Sequence, residues 1–308
     1  LRVDENLQTL WNEPVTGTFE VGSAVRAYPD GFLVYSTTPV SPDGTRQRLY
    51  QIGTDGAVLD MQTWGPDTAF SIELERLNDG RFIALGYLNI IPPGTATSKI
   101  TVSRFSATGA LEATFEHDPG FHNFARGIAV GPDNHFALAG MRDGTFAYLV
   151  KMDVDFNVIW ERTYPGFREL RAVAALSDGS GYWAIGWDDG FSPPNDEGST
   201  YLLRLDDQGN LLSSRHLTFF EPFSLQSLPD GGCLLGGGRT YEIGIHEMLP
   251  RIIRTDADGN DYTAGIRGRV LHDLNADCLT NAADTALERW TVTARDEQGF
   301  VWAINSKQ

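Results

Sequence analysis

A turn of Asp-Gly type that returns about every fifty residues limits this chain more than any other feature. It reads YPDGFLVYS (Tyr28–Ser36), LNDGRFIALG (Leu77–Gly86), GPDNHFALAG (Gly131–Gly140), LSDGSGYWAIG (Leu176–Gly186) and LPDGGCLLGGG (Leu228–Gly238). The turn aspartates Asp30, Asp79, Asp133, Asp178 and Asp230 stand 45 to 54 residues apart. A variable loop follows each turn, and then a second hairpin, seen in LYQIGTDGAVLDMQT, ITVSRFSATGALEATF, AYLVKMDVDFNVIWERT, YLLRLDDQGNLLSSRH and RIIRTDADGNDYTAG. Asp-Gly favours the positive φ that tight hairpin turns require. Alternating apolar residues on either side mark strands with one buried face. One unit is therefore four short antiparallel strands, and five units run from Gly22 to about Gly265. A four-stranded unit of this length, repeated, predicts a β-propeller.

The first residues carry part of the same unit. RVDENLQTLWNE (Arg2–Glu13) aligns with KMDVDFNVIWER (Lys151–Arg162), so that Trp11 meets Trp160. The fourth strand of the fifth unit, NDYTAG, is short and polar. A propeller left open exposes sheet edges, so Gln8–Val15 is expected to supply that outer strand beside Arg251–Thr255. The competing arrangement places further blades upstream in a longer parent chain. The chain begins at Leu1 and shows no signal peptide, as expected of a processed form or a fragment. The fold class read from the sequence is all-β. It is a propeller of four-stranded blades over residues 1–265, five in number and closed by the N-terminal strand, with a partial β-sandwich module over residues 266–308.

Two resemblances rest on these residues. VAALSDGSGYWAIGWDD and STYLLRLDDQGNLLSSRH resemble the propeller repeats of secreted proteins of Bacteroidota, although Asn134 and Phe156 stand where that pattern has turn glycines. The stretch Ile266–Ser306 resembles the start of an Sdr-type B domain, a small β-sandwich related to the collagen-adhesin B fold, and stops short of a whole one. Together they imply an exported protein, extracellular or on the cell surface, delivered by type IX secretion. The implied role is a non-enzymatic module for adhesion or for assembly of a surface structure. Its partners would be a protein or glycan at the cell surface, copies of itself, or other domains of the parent chain.

Charge narrows the partners. The 41 acidic residues against 24 basic ones give a net charge of −17, which repels phosphate backbones and argues against nucleic acid. No apolar run is long enough for a membrane span. Two cysteines, Cys233 and Cys278, form neither a disulfide framework nor a zinc site. Cys233 reads as a buried small hydrophobe.

The sharpest local motif is DLNADCLTNAAD. With Asp273 as position one, side-chain oxygens follow at Asn275, Asp277, Asn281 and Asp284, and Leu279 offers its backbone carbonyl. Calcium takes six to eight oxygens, and this spacing lets one loop supply them. Cys278 sits where glycine eases such a turn, and an Asx-rich surface loop is the plain alternative.

No catalytic residue and no organic cofactor is indicated. The six histidines show no paired metal spacing. SPDGT (Ser41–Thr45) resembles a sialidase Asp-box only in part. The enzyme alternative is a carbohydrate-active enzyme, glycosidase-like, which requires two or three acidic residues converging on the axis. Long excursions are expected at Thr37–Arg48, Leu88–Ser98 and Trp187–Ser199. Aromatics at the inter-blade links (Trp64, Phe70, Phe121, Phe124, Phe167, Phe219, Phe220 and Phe223) are read first as wedges between blades, and otherwise as a rim for glycan or protein.

Overall fold

The computed structural model describes residues 2–3, 9–11, 21–41, 44–90, 97–120, 122–188, 199–217, 221–240, 248–260, 271–272, 285–286, 291–295 and 301–305. The chain divides into two compact units, Leu1–Asp261 and Tyr262–Gln308. Strands and turns make up the described residues, with no helix among them. None is therefore long and apolar enough to cross a membrane.

The first unit is a five-bladed β-propeller. Blade one is Val21–Tyr28, Gly31–Ser41, Gly44–Gly53 and Val58–Trp64. Blade two is Ala69–Arg76, Phe82–Ile90, Thr97–Phe105 and Leu111–His117. Blade three is Phe124–Val130, Phe136–Arg142, Phe146–Met152 and Val158–Tyr164. Blade four is Glu169–Ala175, Gly181–Asp188, Ser199–Asp206 and Leu211–Leu217. Blade five has three described strands, Glu221–Ser227, Cys233–Thr240 and Met248–Arg254. Each blade is an antiparallel meander in chain order, and the first strands of successive blades are neighbours around the axis.

The repeated residues have local reasons. The carboxylates of Asp79, Asp133, Asp178 and Asp230 each accept the backbone N–H two residues on, as Asp178 does from Ser180 at 2.9 Å and Asp230 from Gly232 at 3.0 Å. Third-strand cations reach back to the same aspartates: Lys151 to Asp133 at 2.6 Å and Arg254 to Asp230 at 2.7 Å. In the second turns, Asp206 accepts the N–H groups of Gln208 (3.0 Å) and Asn210 (2.7 Å), and Asn210 Nδ2 donates back at 2.8 Å. Asp256 and Asn260 repeat this. The two departures from the turn pattern keep its backbone: Asn134 has φ 64° and Phe156 φ 68°. Asparagine tolerates that region readily, whereas a bulky residue there is strained. Phe156 is held by packing, stacked on Phe115 with centroids 5.6 Å apart.

Aromatics of the outer strands wedge between blades. Trp64 is buried and donates to Ser103 of blade two at 3.0 Å. Trp160 and Tyr164 donate to the carbonyls of Asp207 and Gly209 in blade four at 3.1 and 2.8 Å. Cys233 is fully buried and is a free thiol. Burial raises its pKa to about 11.

One expectation changes. Thr37–Arg48 is no irregular loop: its ladder runs on through Pro39↔Thr45 to Ser41↔Gly44, with β-branched Thr37, Thr38, Val40 and Thr45 along it and Pro39 and Ser41 flanking a register shift. Of the expected closing strand Gln8–Val15, the described residues Thr9–Trp11 form a hairpin with Arg2–Val3, and no ladder to Met248–Arg254 falls among the described residues.

In the second unit, Leu271–His272 pairs with Thr285–Ala286, and Thr291–Arg295 forms a hairpin with Val301–Asn305.

Candidate functional site

All five first strands carry a β-bulge at the same level. The ladder skips Ser23, Ile72, Arg126, Arg171 and Phe223. A bulge leaves one residue unpaired and re-aims its side chain. Opposite the bulge in the second strand stand Ser36, Gly86, Gly140, Gly186 and Gly237. At Gly140 the reason is close approach: a Cβ there would sit 1.9 Å from the carbonyl oxygen of Phe124.

Around the bulges lies a cavity of about 580 Å³, lined by residues from the first strands of all five blades. The residue after each bulge is Ala24, Glu73, Gly127, Ala172 or Ser224. Four of these are too small to fill the axis, and the fifth, Glu73, contributes the one carboxylate in the cavity lining. Arg26, Arg126 and Arg171 also line it. On one side the cavity extends to Val34 in blade one and Leu225 in blade five.

Two further axial carboxylates are tied to these arginines. Arg26 forms an ion pair and hydrogen bonds with Glu75, and stands 3.9 Å from Glu73. Glu169 is buried between Arg171 at 2.6 Å and Arg126 at 3.5 Å. The guanidinium of Arg171 lies over Trp187, 4.2 Å from the ring centroid, and that of Arg126 over Phe124 at 5.8 Å. Glu73 accepts the N–H of Ile128 at 2.9 Å. Burial, with the nearby charge of Glu75, pushes its pKa up to about 7, against the lowering effect of the Ile128 bond and Arg26.

A second buried polar group joins blades two and three. His117 Nε2 and the Tyr148 hydroxyl are 2.8 Å apart, and Tyr148 donates to Glu161 at 2.7 Å. Burial lowers the pKa of His117 and raises that of Tyr148.

The sequence reading named none of the charged axial residues. Their signal is the glycine late in the second strand (ALG, ALAG, AIG, LLGGG), since glycine inside a strand marks a bulge or a close backbone approach. The predicted calcium ligands Asp273, Asn275, Asp277, Leu279, Asn281 and Asp284 lie outside the described residues. Their flanking residues, His272 and Thr285, are cross-strand partners. Of the linking aromatics, Phe70 stacks on Tyr87 at 4.9 Å, Tyr87 meets Phe124 edge-on at 5.3 Å, and Phe167 meets Tyr201 edge-on at 5.2 Å. Phe121, Phe219 and Phe220 lie outside the described residues.

No family model matches the chain, and no curated protein sequence matches it. Among solved structures it is similar to the Dos1 propeller, with 12% identity and a TM-score of 0.52, over 84% of this chain and 62% of that one. That likeness concerns the fold, and this chain spans less than two thirds of the Dos1 structure. Lower scores go to a GH43 endo-arabinanase from Bacillus licheniformis (12% identity, TM-score 0.41, 77% of this chain and 95% of that one). The propeller domain of the Trilobed protease from Pyrococcus furiosus is comparable (12% identity, TM-score 0.48, 83% and 75%).

Proposed function

We propose that this chain is a non-enzymatic interaction scaffold, an extracellular or cell-surface module for adhesion or for assembly of a surface structure. The supporting observation is the state of the axial carboxylates. Glycoside cleavage needs two carboxyl groups facing one bond, about 5–5.5 Å apart for retention or 6.5–9.5 Å for inversion. Here Glu75 and Glu169 are engaged by Arg26, Arg126 and Arg171, which leaves Glu73 as the carboxylate lining the cavity. A carboxylate clasped by guanidiniums is a weak base and nucleophile. The partners proposed are a protein or glycan at the cell surface, or other domains of a parent chain. The repeat resemblance supports export. Calcium is proposed for the second unit at Asp273–Asp284.

Turnover is the test. The protein is incubated with a panel of polysaccharides and chromogenic glycosides, and released sugar is measured. No release above the protein-free rate is expected. Release that disappears in Glu73→Gln would replace this reading with the glycosidase one. The pKa of Glu73 near 7 favours that second reading, because a general acid works best with a pKa near the working pH.

A further inference from the structure

We infer that the axial cavity binds a small hydroxylated monocarboxylate, with Arg126 and Arg171 receiving the carboxylate and Glu73 a hydroxyl. Its volume of about 580 Å³ suits a ligand of monosaccharide size or somewhat larger. The void follows from the sequence, since Ala24, Gly127, Ala172 and Ser224 occupy four of the five positions after the bulges. At Gly127 even a methyl group would stand 3.1 Å from Cα of Ala172, because the first strands of blades three and four approach closely there.

The two arginines are bulge residues of adjacent blades at one level. Both pair with the buried Glu169, which sets the two side by side. A guanidinium carries five N–H donors in a planar fork and matches a carboxylate. The rings of Phe124 and Trp187 hold these forks in place before a ligand arrives, which reduces the ordering cost of binding. Glu73 selects the rest of the ligand. Partly buried and already accepting from Ile128, it suits a hydroxyl partner, and its charge opposes a dianion such as phosphate.

This goes beyond the scaffold reading and does not rest on it: binding is read as heat and hydrolysis as released sugar, so either can fail alone. The experiment is titration calorimetry of the whole chain with D-glucuronate, D-glucose and inorganic phosphate. Glucuronate is expected to bind about tenfold or more tightly than glucose, with no measurable heat from phosphate. Arg126→Lys and Arg171→Lys are each expected to lose about tenfold, because lysine cannot supply the fork. Ala172→Leu, which narrows the cavity beside Arg171, is expected to weaken binding about tenfold or more. Equal affinity for glucose, binding of phosphate as tight as glucuronate, undiminished binding in a cooperatively melting Ala172→Leu, or no heat from glucuronate would each overturn the inference. If a variant does not melt cooperatively, the three ligands on the unsubstituted protein decide.

Discussion

Among the described residues, four seams between blades hold buried clusters and the seam between blades five and one holds none. Buried clusters join blades one and two through Leu49, Trp64 and Phe105, and blades two and three through Ile100, Tyr148 and Phe156. Others join blades three and four through Trp160, Leu170 and Tyr182, and blades four and five through Trp183, Leu217 and Leu235. Among the described residues no cluster joins blade five to blade one. Instead Ile252 is 74% exposed and Val21 68%. The difference lies in the fourth strand. Trp64, Trp160 and Leu217 come from fourth strands, and Phe115 of another packs against its cluster. Blade five has no described fourth strand. In this propeller the outer strand supplies part of the packing between a blade and its successor, which explains why a tryptophan or another large apolar residue recurs there.

The widest test of that contrast is Trp183→Ala. This ring is 1% exposed at the packed seam between blades four and five, and its Nε1 donates to the Gly231 carbonyl at 2.9 Å. Emptying such a site costs about 3–5 kcal/mol. A loss of that size in denaturant-induced unfolding is expected. A loss below about 1 kcal/mol would show that the packed seams contribute far less than their burial implies.

Gly140→Ala comes next. Its new methyl would meet the Phe124 carbonyl at 1.9 Å, so the bulge beneath Arg126 must shift. Overpacking of this kind costs about 1–3 kcal/mol. Loss of the axial ligand alongside the fall in melting temperature would tie the bulge to the site. A variant as stable as the parent would show that the second strand yields there.

The blades were legible because each turn is decided within five residues: Asp178, Gly179 and Ser180 suffice to draw one. The axial site was not. Arg126 and Arg171 lie 45 residues apart and meet only once the units are superposed with one residue skipped in each first strand. Nothing in ARGIAV or LRAVAA alone marks that skip, and the glycine that does sits in another strand. Glu73 likewise becomes distinctive only against Ala24, Gly127, Ala172 and Ser224 at its level. The N-terminal stretch was legible in part: its likeness to a repeat hairpin matches the pairing of Thr9–Trp11 with Arg2–Val3, but says nothing of the neighbour on the other side.

Glu73 probes the axis by pH. Its folded pKa of about 7 lies above the usual 4.5, so between these values the folded protein keeps a proton that the unfolded chain has lost. Its contribution to stability is complete below about 4.5 and is lost as pH rises through 7. With a side chain one-third exposed, screening leaves about 1–2 kcal/mol of that effect. Glu73→Gln removes the titration while leaving Arg26, Glu75 and His117 in place. The variant is expected to lose about 1–2 kcal/mol less than the parent between pH 5 and pH 8 in paired denaturation curves. Parallel curves would place the Glu73 carboxylate in water rather than in a desolvated cavity.

The smallest effect is expected at the seam between blades five and one, where Ile252→Thr addresses the contrast directly. Ile252 lies in the third strand of blade five, between Arg251 and Ile253 in the ladder with Cys233–Thr240. Ile253 faces the core and is 7% exposed, whereas Ile252, on the opposite face, is 74% exposed. Threonine keeps the β-branch that suits a strand and removes little buried apolar surface. The change is expected to stay within about 0.5 kcal/mol, as surface substitutions do. A cost of about 2 kcal/mol or more would mean that this face is covered in solution. Repeating the measurement across a hundredfold range of protein concentration then identifies the cover. A cost that grows with concentration assigns it to a second copy, and a constant cost assigns it to a strand of the same chain.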